Sequence, residues 1–150
     1  MRFWTCACGT LFLMIACIGW LAPASVRAAG AAPADIAHGK YLVERIGMCG
    51  DCHTPHDQKG QPIADQILRG APLAFKPTVQ MPWADNAPNI AGLPGWEEAD
   101  AIRFLMTGKT NNDLPARPPM PGYRLNKTDA TAVVHYLRSL SPGGNSSIAK

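Results

Sequence analysis

"GMCGDCHTP", residues 47–55, brings two cysteines and a histidine within five positions: Cys49, Cys52 and His53. Three chemistries use such a set. Two thiols form a redox disulfide, two thiols and an imidazole contribute to a zinc site, and all three together hold a haem. In the third case each thiol adds across a vinyl group and the imidazole binds the iron, and C-x-x-C-H is the attachment signal of c-type haem. A thioredoxin-type C-x-x-C sits at a helix N-terminus after a strand, whereas a helical pattern precedes this motif and no strand run flanks it. A closed zinc site needs four ligands, and the chain has no second C-x-x-C and no H-x-x-x-H pair. The residues favour covalent haem.

The other cysteines leave this reading intact. Cys6, Cys8 and Cys17 fall in a stretch without charge between Arg2 and Arg27, where "LFLMIACIGWLA" (11–22) has the length of a secretory h-region and "VRA" (26–28) offers small residues for cleavage. A signal peptide over residues 1–28 is expected, with the mature chain starting near Ala29 in the periplasm. The rival is an uncleaved membrane anchor over Phe3–Ala22, which has about the length that crosses a bilayer. With Arg2 and Arg27 set aside, 12 basic side chains face 11 acidic ones and no basic run exists. Neither nucleic acid nor an anionic surface is implied as a partner, and membrane contact is expected only through an uncleaved anchor or a membrane complex. Residues 29–150 suit one compact domain with a loose tail from about residue 141.

Within it, Asp35–Ile46 is expected to form a helix capped by Asp35, with Ile36, Lys40, Val43 and Ile46 as its inward stripe and Gly47 as its stop. Helical periodicity is absent from Thr54 to Gly95, apart from a possible turn at "ADQILRG". The apolar residues of that run (Ile67, Leu68, Leu73, Phe75, Val79, Trp83, Ile90) argue against disorder and need something to receive them. A second helix is expected over Glu97–Thr107, with Ala101, Ile102, Leu105 and Met106 apolar and Gly108 as its stop. A third begins at Asn126, paired with Asp129 in the manner of a capping box, with the stripe Ala130, Val133, Val134, Leu137 and Leu140. Three helices with long loops make a thin core, and a large apolar prosthetic group would supply the missing surface.

The sixth iron ligand must come from another residue. Met48 is too close to the attachment site to reach the opposite face, and Met106 belongs to a helix stripe, where methionine is commonly filler. Met81 and Met120 both sit in loops beside proline. Met120 is favoured, because Pro118, Pro119 and Pro121 stiffen "RPPMPGY" and lower the entropy of holding a side chain at a metal.

Together "GKYLVERIGMCGDCHTP", "PNIAG", "GWEEADAIRFLMTG" and "PPMPGYRLNKTDATAVVHYLRSL" resemble a class I c-type cytochrome domain over about Ala34–Leu140, closest to the monohaem modules in cytochrome subunits of bacterial periplasmic alcohol, aldehyde and sugar-acid dehydrogenases. The resemblance implies an all-α, cytochrome c-like fold with about three main helices and long loops around one haem c. It further implies attachment through Cys49 and Cys52, His53 and Met120 as axial ligands, and Gly39 and Tyr41 of the first helix meeting Tyr136 and Leu137 of the last. Two departures stand out. Those subunits usually carry several modules and this chain has one, and Glu97 stands where a hydroxyl cap often starts the middle helix.

Supporting roles follow from the chemistry. His53 needs an acceptor for its other ring N–H, with the carbonyl of Pro62 as candidate and Pro55 as rival. Trp83, Asn89 and Trp96 could reach haem propionates or simply pack in loops. His38, His56 and His135 are weaker iron ligands, and His135 is expected in solvent. The functional expectation is an electron carrier and not an enzyme, relaying electrons from a periplasmic dehydrogenase to an oxidase or another cytochrome in the respiratory chain. The alternative is a haem enzyme or small-ligand sensor with a labile Met120, and a thiol-disulfide protein is the third reading.

Overall fold

The computed structural model describes residues 31–141. The expected leader over residues 1–28 and the tail beyond residue 141 lie outside the described residues.

Helix α1 spans Pro33–Tyr41 and begins ahead of the expected Asp35. Pro33 suits a first position, where its missing N–H would be unpaired anyway. Ala32 precedes the helix and offers no side-chain cap, so Asp35 acts from inside the first turn, on the positive end of the helix. From Leu42 to Ile46 the helix widens into a π turn, and the Gly47 N–H reaches the Leu42 carbonyl at 2.7 Å. This turn breaks the expected stripe. Val43 is buried and Ile36 half-buried, but Lys40 is exposed and Ile46 is 58% exposed, because the extra residue in the wide turn rotates everything after it.

Gly39 takes the inner position that Lys40 was expected to share. A Cβ on Gly39 would lie 1.9 Å from the Ala132 carbonyl oxygen and 2.8 Å from Tyr136 Cβ, so the helices cross with backbones in contact. Tyr41, expected in the same contact, is 54% exposed instead. The helical stretch does stop at Gly47, yet the left-handed residue is Met48 (φ 45°), whereas Gly47 has an ordinary φ of −81°. Gly47 is needed for space: a Cβ there would meet Cys49 Sγ at 3.2 Å and the Tyr123 hydroxyl at 3.3 Å.

A single-turn helix that the sequence reading did not foresee, α2 (Gly50–His53), carries the motif, so the described residues contain four α-helices where about three were expected. The following segment has no α-helix but is not bare. A 3-10 turn covers Ala64–Gln66 where "ADQILRG" suggested one, and β1 (Ala71–Pro72) pairs antiparallel with β2 (Asn86–Ala87), a small strand element that the all-α expectation lacked. Its apolar side chains fare unequally. Leu68 is fully buried, while Ile67, Phe75 and Val79 stay 40%, 50% and 66% exposed.

Helix α3 spans Glu98–Thr107. Glu97 gives no side-chain cap, and Glu98 and Asp100 favour the first turn electrostatically. Gly108 stops the helix in the left-handed conformation (φ 71°), its N–H on the Phe104 carbonyl at 2.8 Å. Helix α4 spans Lys127–Ser139 and is capped as expected: Asn126 Oδ1 accepts from the Asp129 N–H at 2.9 Å, and Asn126 Nδ2 donates to Asp129 Oδ2 at 2.8 Å. Its stripe is buried except for the half-buried Leu140. Ala132 and Tyr136 are buried as well, because α1 covers that side. α4 is therefore enclosed twice, by α1 on one flank and by α3 and a cavity on the other.

Candidate functional site

The turn of α2 sets the site. The His53 N–H bonds the Cys49 carbonyl at 2.9 Å, so both cysteines and the histidine share one turn. Cys49 and Cys52 are free, half-buried thiols. His53 is 6% exposed, and its Nδ1 lies 2.7 Å from the Pro88 carbonyl. A carbonyl only accepts, so Nδ1 carries the proton and Nε2 keeps its lone pair. Burial depresses the His53 pKa, against the smaller opposing effect of the Pro88 hydrogen bond, and the ring stays neutral as a metal ligand must.

Pro88 replaces the expected Pro62 and Pro55. The 55–63 stretch closes on itself: His56 pairs with Pro62 as an isolated bridge, Asp57 Oδ1 accepts from the Lys59 and Gln61 N–H groups, and the Pro55 carbonyl is taken by the Ile63 N–H at 3.0 Å. The Pro88 loop is brought in by Thr54, which sequence reasoning passed over. The buried Thr54 Oγ1 accepts from the Leu68 N–H at 2.9 Å, and the Leu68 carbonyl accepts from Ile90 at 2.9 Å and Ala91 at 3.1 Å. Leu68 sits at φ 60°, an unfavourable left-handed conformation for a leucine, held by these bonds on both sides. The His53 carbonyl also accepts from Gly70 at 2.7 Å.

Tyr123 is the second omission. Its hydroxyl donates to the Gly47 carbonyl at 3.0 Å and ties the segment after Met120 to the base of the motif. Burial and the neighbouring Cys49 push its pKa up to about 12. Burial likewise pushes the Cys49 thiol above its usual range, over the opposing effect of the Tyr123 hydroxyl. A thiol spent on a vinyl group no longer titrates.

These elements surround a cavity of about 260 Å³. Cys49, Cys52 and His53 line it from α2, Phe104 and Leu105 from α3, Val133, Val134 and Leu137 from α4, and Ala87 and Pro88 from the loop. Met120 lines it too, between Pro119 and Pro121. Of the other methionines, Met48 is at the wall and 57% exposed, while Met81 and Met106 are not on it. Asn89 and Trp96 reach the wall, whereas Trp83 does not, because its ring N–H donates to the Phe75 carbonyl at 3.3 Å. His38, His56 and His135 stay away from the cavity. His38 lies 2.7 Å from Asp129, and His135, expected in solvent, is only 19% exposed and 3.8 Å from Glu98 across the α3–α4 contact.

An apolar slot walled by two free thiols and a neutral imidazole with an unused nitrogen fits a covalently held haem. The vinyl groups would meet the thiols and the iron would meet the imidazole, with the Met120 thioether within the same walls.

Residues 36–141 match the family model described as Cytochrome c. Among curated relatives, the fructose dehydrogenase cytochrome subunit of Gluconobacter japonicus is 33% identical over 111 residues, covering 71% of this chain and 22% of that one. The gluconate 2-dehydrogenase cytochrome c subunit of Pantoea cypripedii is 33% identical over 119 residues, with 70% and 26% covered. The cytochrome c subunit of the quinone alcohol dehydrogenase of Gluconacetobacter polyoxogenes is 32% identical over 125 residues, with 72% and 25% covered. The match therefore spans about a quarter of the length of each relative.

Proposed function

The chain belongs to the cytochrome c family, whose members carry covalently bound haem c and transfer electrons, and from that premise we propose a single-haem carrier in which Cys49 and Cys52 hold the group and His53 and Met120 bind the iron from its two faces. The haem supplies a one-electron ferric/ferrous couple. Everything else is done by the chain. The Pro88 carbonyl orients His53 and raises its basicity, and the prolines around Met120 limit the freedom of the thioether. The apolar walls of α3 and α4 keep water away and favour the less charged, reduced state. With both axial positions supplied by protein, a change of oxidation state asks for little rearrangement.

Location and partner complete the proposal. The leader read in residues 1–28 puts the domain in the periplasm, with electrons arriving from a dehydrogenase, as the names of the relatives suggest, and leaving toward the respiratory chain. The observation that carries the reading is the shared cavity: His53 with its free Nε2 and Met120 line the same apolar walls as both thiols.

The test is the absorption spectrum of the protein matured with the cytochrome assembly machinery, wild type against Met120→Ala. Loss of the thioether-to-ferric-iron band in the variant is expected. An unchanged band overturns the ligation and points to Met81 or a histidine, and carbon monoxide binding by the reduced wild type would point to the sensor or enzyme alternative.

A further inference from the structure

From Gly70 to Trp96 the chain has two charged side chains, Lys76 and Asp85. They pair with each other at 2.5 Å, and Arg117 on the adjoining loop also faces Asp85. The acid is thus fully countered, and the segment projects no negative charge of its own. The Leu73 N–H bonds the Asp85 carbonyl at 2.9 Å and extends the β1–β2 ladder, so the two ends of the loop are held together. Beyond that clasp the tip exposes Phe75, Val79 and Met81 by 50%, 66% and 42%.

The tip is ordered from within. Trp83 packs edge-on against Phe75 with ring centroids 5.8 Å apart, and its N–H is spent on the Phe75 carbonyl. These side chains are fixed in solvent rather than folded into the core. The tip is also close to the candidate site. Leu73 and Ala84 at its base line the cavity, and the Ala84 N–H bonds the Pro118 carbonyl at 2.8 Å, joining the tip to the Met120 loop.

An exposed apolar cluster on an ordered loop marks a contact surface. The charge pattern says what kind. Encounter-type partners are steered by uncompensated charge, and here the loop's two opposite charges neutralise each other at its edge. The complement that fits is uncharged and apolar, which is the character of stable subunit interfaces. We propose that the Phe75–Val79–Met81 tip is the docking face for a permanently associated protein, a redox subunit presenting an uncharged apolar surface beside the cavity mouth. The inference rests on the electron-transfer reading above.

The test follows the haem absorbance of the tagged, full chain through gel filtration of neutral-detergent extracts of its own cells, with co-eluting protein identified by mass spectrometry. Wild-type haem is expected well above the mass of the free chain, in low and in molar salt alike, together with a protein that carries its own redox cofactor. Val79→Asp and Phe75→Ser should each cut the haem in that fraction by about tenfold or more and return it to monomer mass with an unaltered spectrum. Leu114→Asp, an equally exposed site off the cavity, should change nothing. Release of the wild type by salt overturns the proposal, as does indifference to both tip variants or elution of wild type as a monomer. A dimer of the purified protein broken by the same variants assigns the face to a second copy, and co-sedimentation of purified protein with phosphatidylcholine vesicles assigns it to a membrane; either result overturns the proposal. Failure of the underlying reading looks different, because no covalently held pigment would be present in any fraction.

Discussion

The α1–α4 crossing and the loops around the cavity solve opposite problems. At the crossing the chain meets itself with nothing between, and a single missing Cβ at Gly39 lets one backbone rest on the other. Around the cavity the chain stops short of itself. Thr54, Leu68 and Pro88 are linked by hydrogen bonds along the wall, and Tyr123 ties the far end back to Gly47, yet the apolar side chains of α3 and α4 face inward across a gap. One half is complete in its own residues, and the other is shaped for a guest. Local packing and cofactor binding therefore make separable contributions to the stability of the domain.

Four changes test that separation. The largest effect is expected from Cys49→Ala with Cys52→Ala, which removes both attachment points. Covalently retained pigment on a denaturing gel should vanish and the near-ultraviolet circular dichroism of the loop aromatics should collapse. A native aromatic signal without pigment would show that the loops hold themselves. Next comes Gly39→Ala, whose new methyl cannot fit against the Ala132 carbonyl. The holo-protein should lose about 3 kcal/mol in denaturant unfolding, the upper end for overpacked sites, while the haem spectrum before unfolding stays unchanged. A spectral shift would instead couple the two halves.

Thr54→Val should cost about 2 kcal/mol, because the buried Leu68 N–H loses its acceptor, and it should perturb the haem bands through the Pro88 contact on His53. A stability loss with an unmoved spectrum would confine Thr54 to structural support. The smallest effect concerns Tyr136, whose hydroxyl donates to Glu44 at 2.6 Å. Burial first, and then Glu44, raise its pKa above the ordinary value of 10.0. The folded phenol keeps its proton where the unfolded chain has released it, so this stabilisation is complete below about pH 10 and fades as the pH rises further. Tyr136→Phe should cost about 1 kcal/mol at neutral pH and flatten the alkaline decline measured by unfolding at a series of pH values.

The readings that held were local ones. The caps of α4, the stop of α3 at Gly108 and the apolar stripe of α4 follow from residues three or four apart, where sequence pattern and geometry coincide. The placement of Met120 at the cavity rather than Met81 also followed from its proline neighbours. What escaped was long-range or out of register. Nothing near His53 in sequence points to Pro88, which arrives through Thr54 and Leu68, and the self-closed turn at Asp57 takes the nearer prolines away. Ile46 and Lys40 were misassigned because a 3.6-residue period was carried through a wider turn. His135 escaped because its helix is covered on both flanks, so a position off the main stripe is still shielded.

That wider turn has a bearing on which changes of chain length the domain tolerates. An α-helix advances about 100° per residue, so deleting one residue from Leu42–Ile46 would swing the thiols and the imidazole round the helix axis, away from the slot they line. An extra residue between Gln58 and Gly60 would only enlarge a loop at the surface. Spacing ahead of the cysteines is thus as strict a requirement as the cysteines themselves.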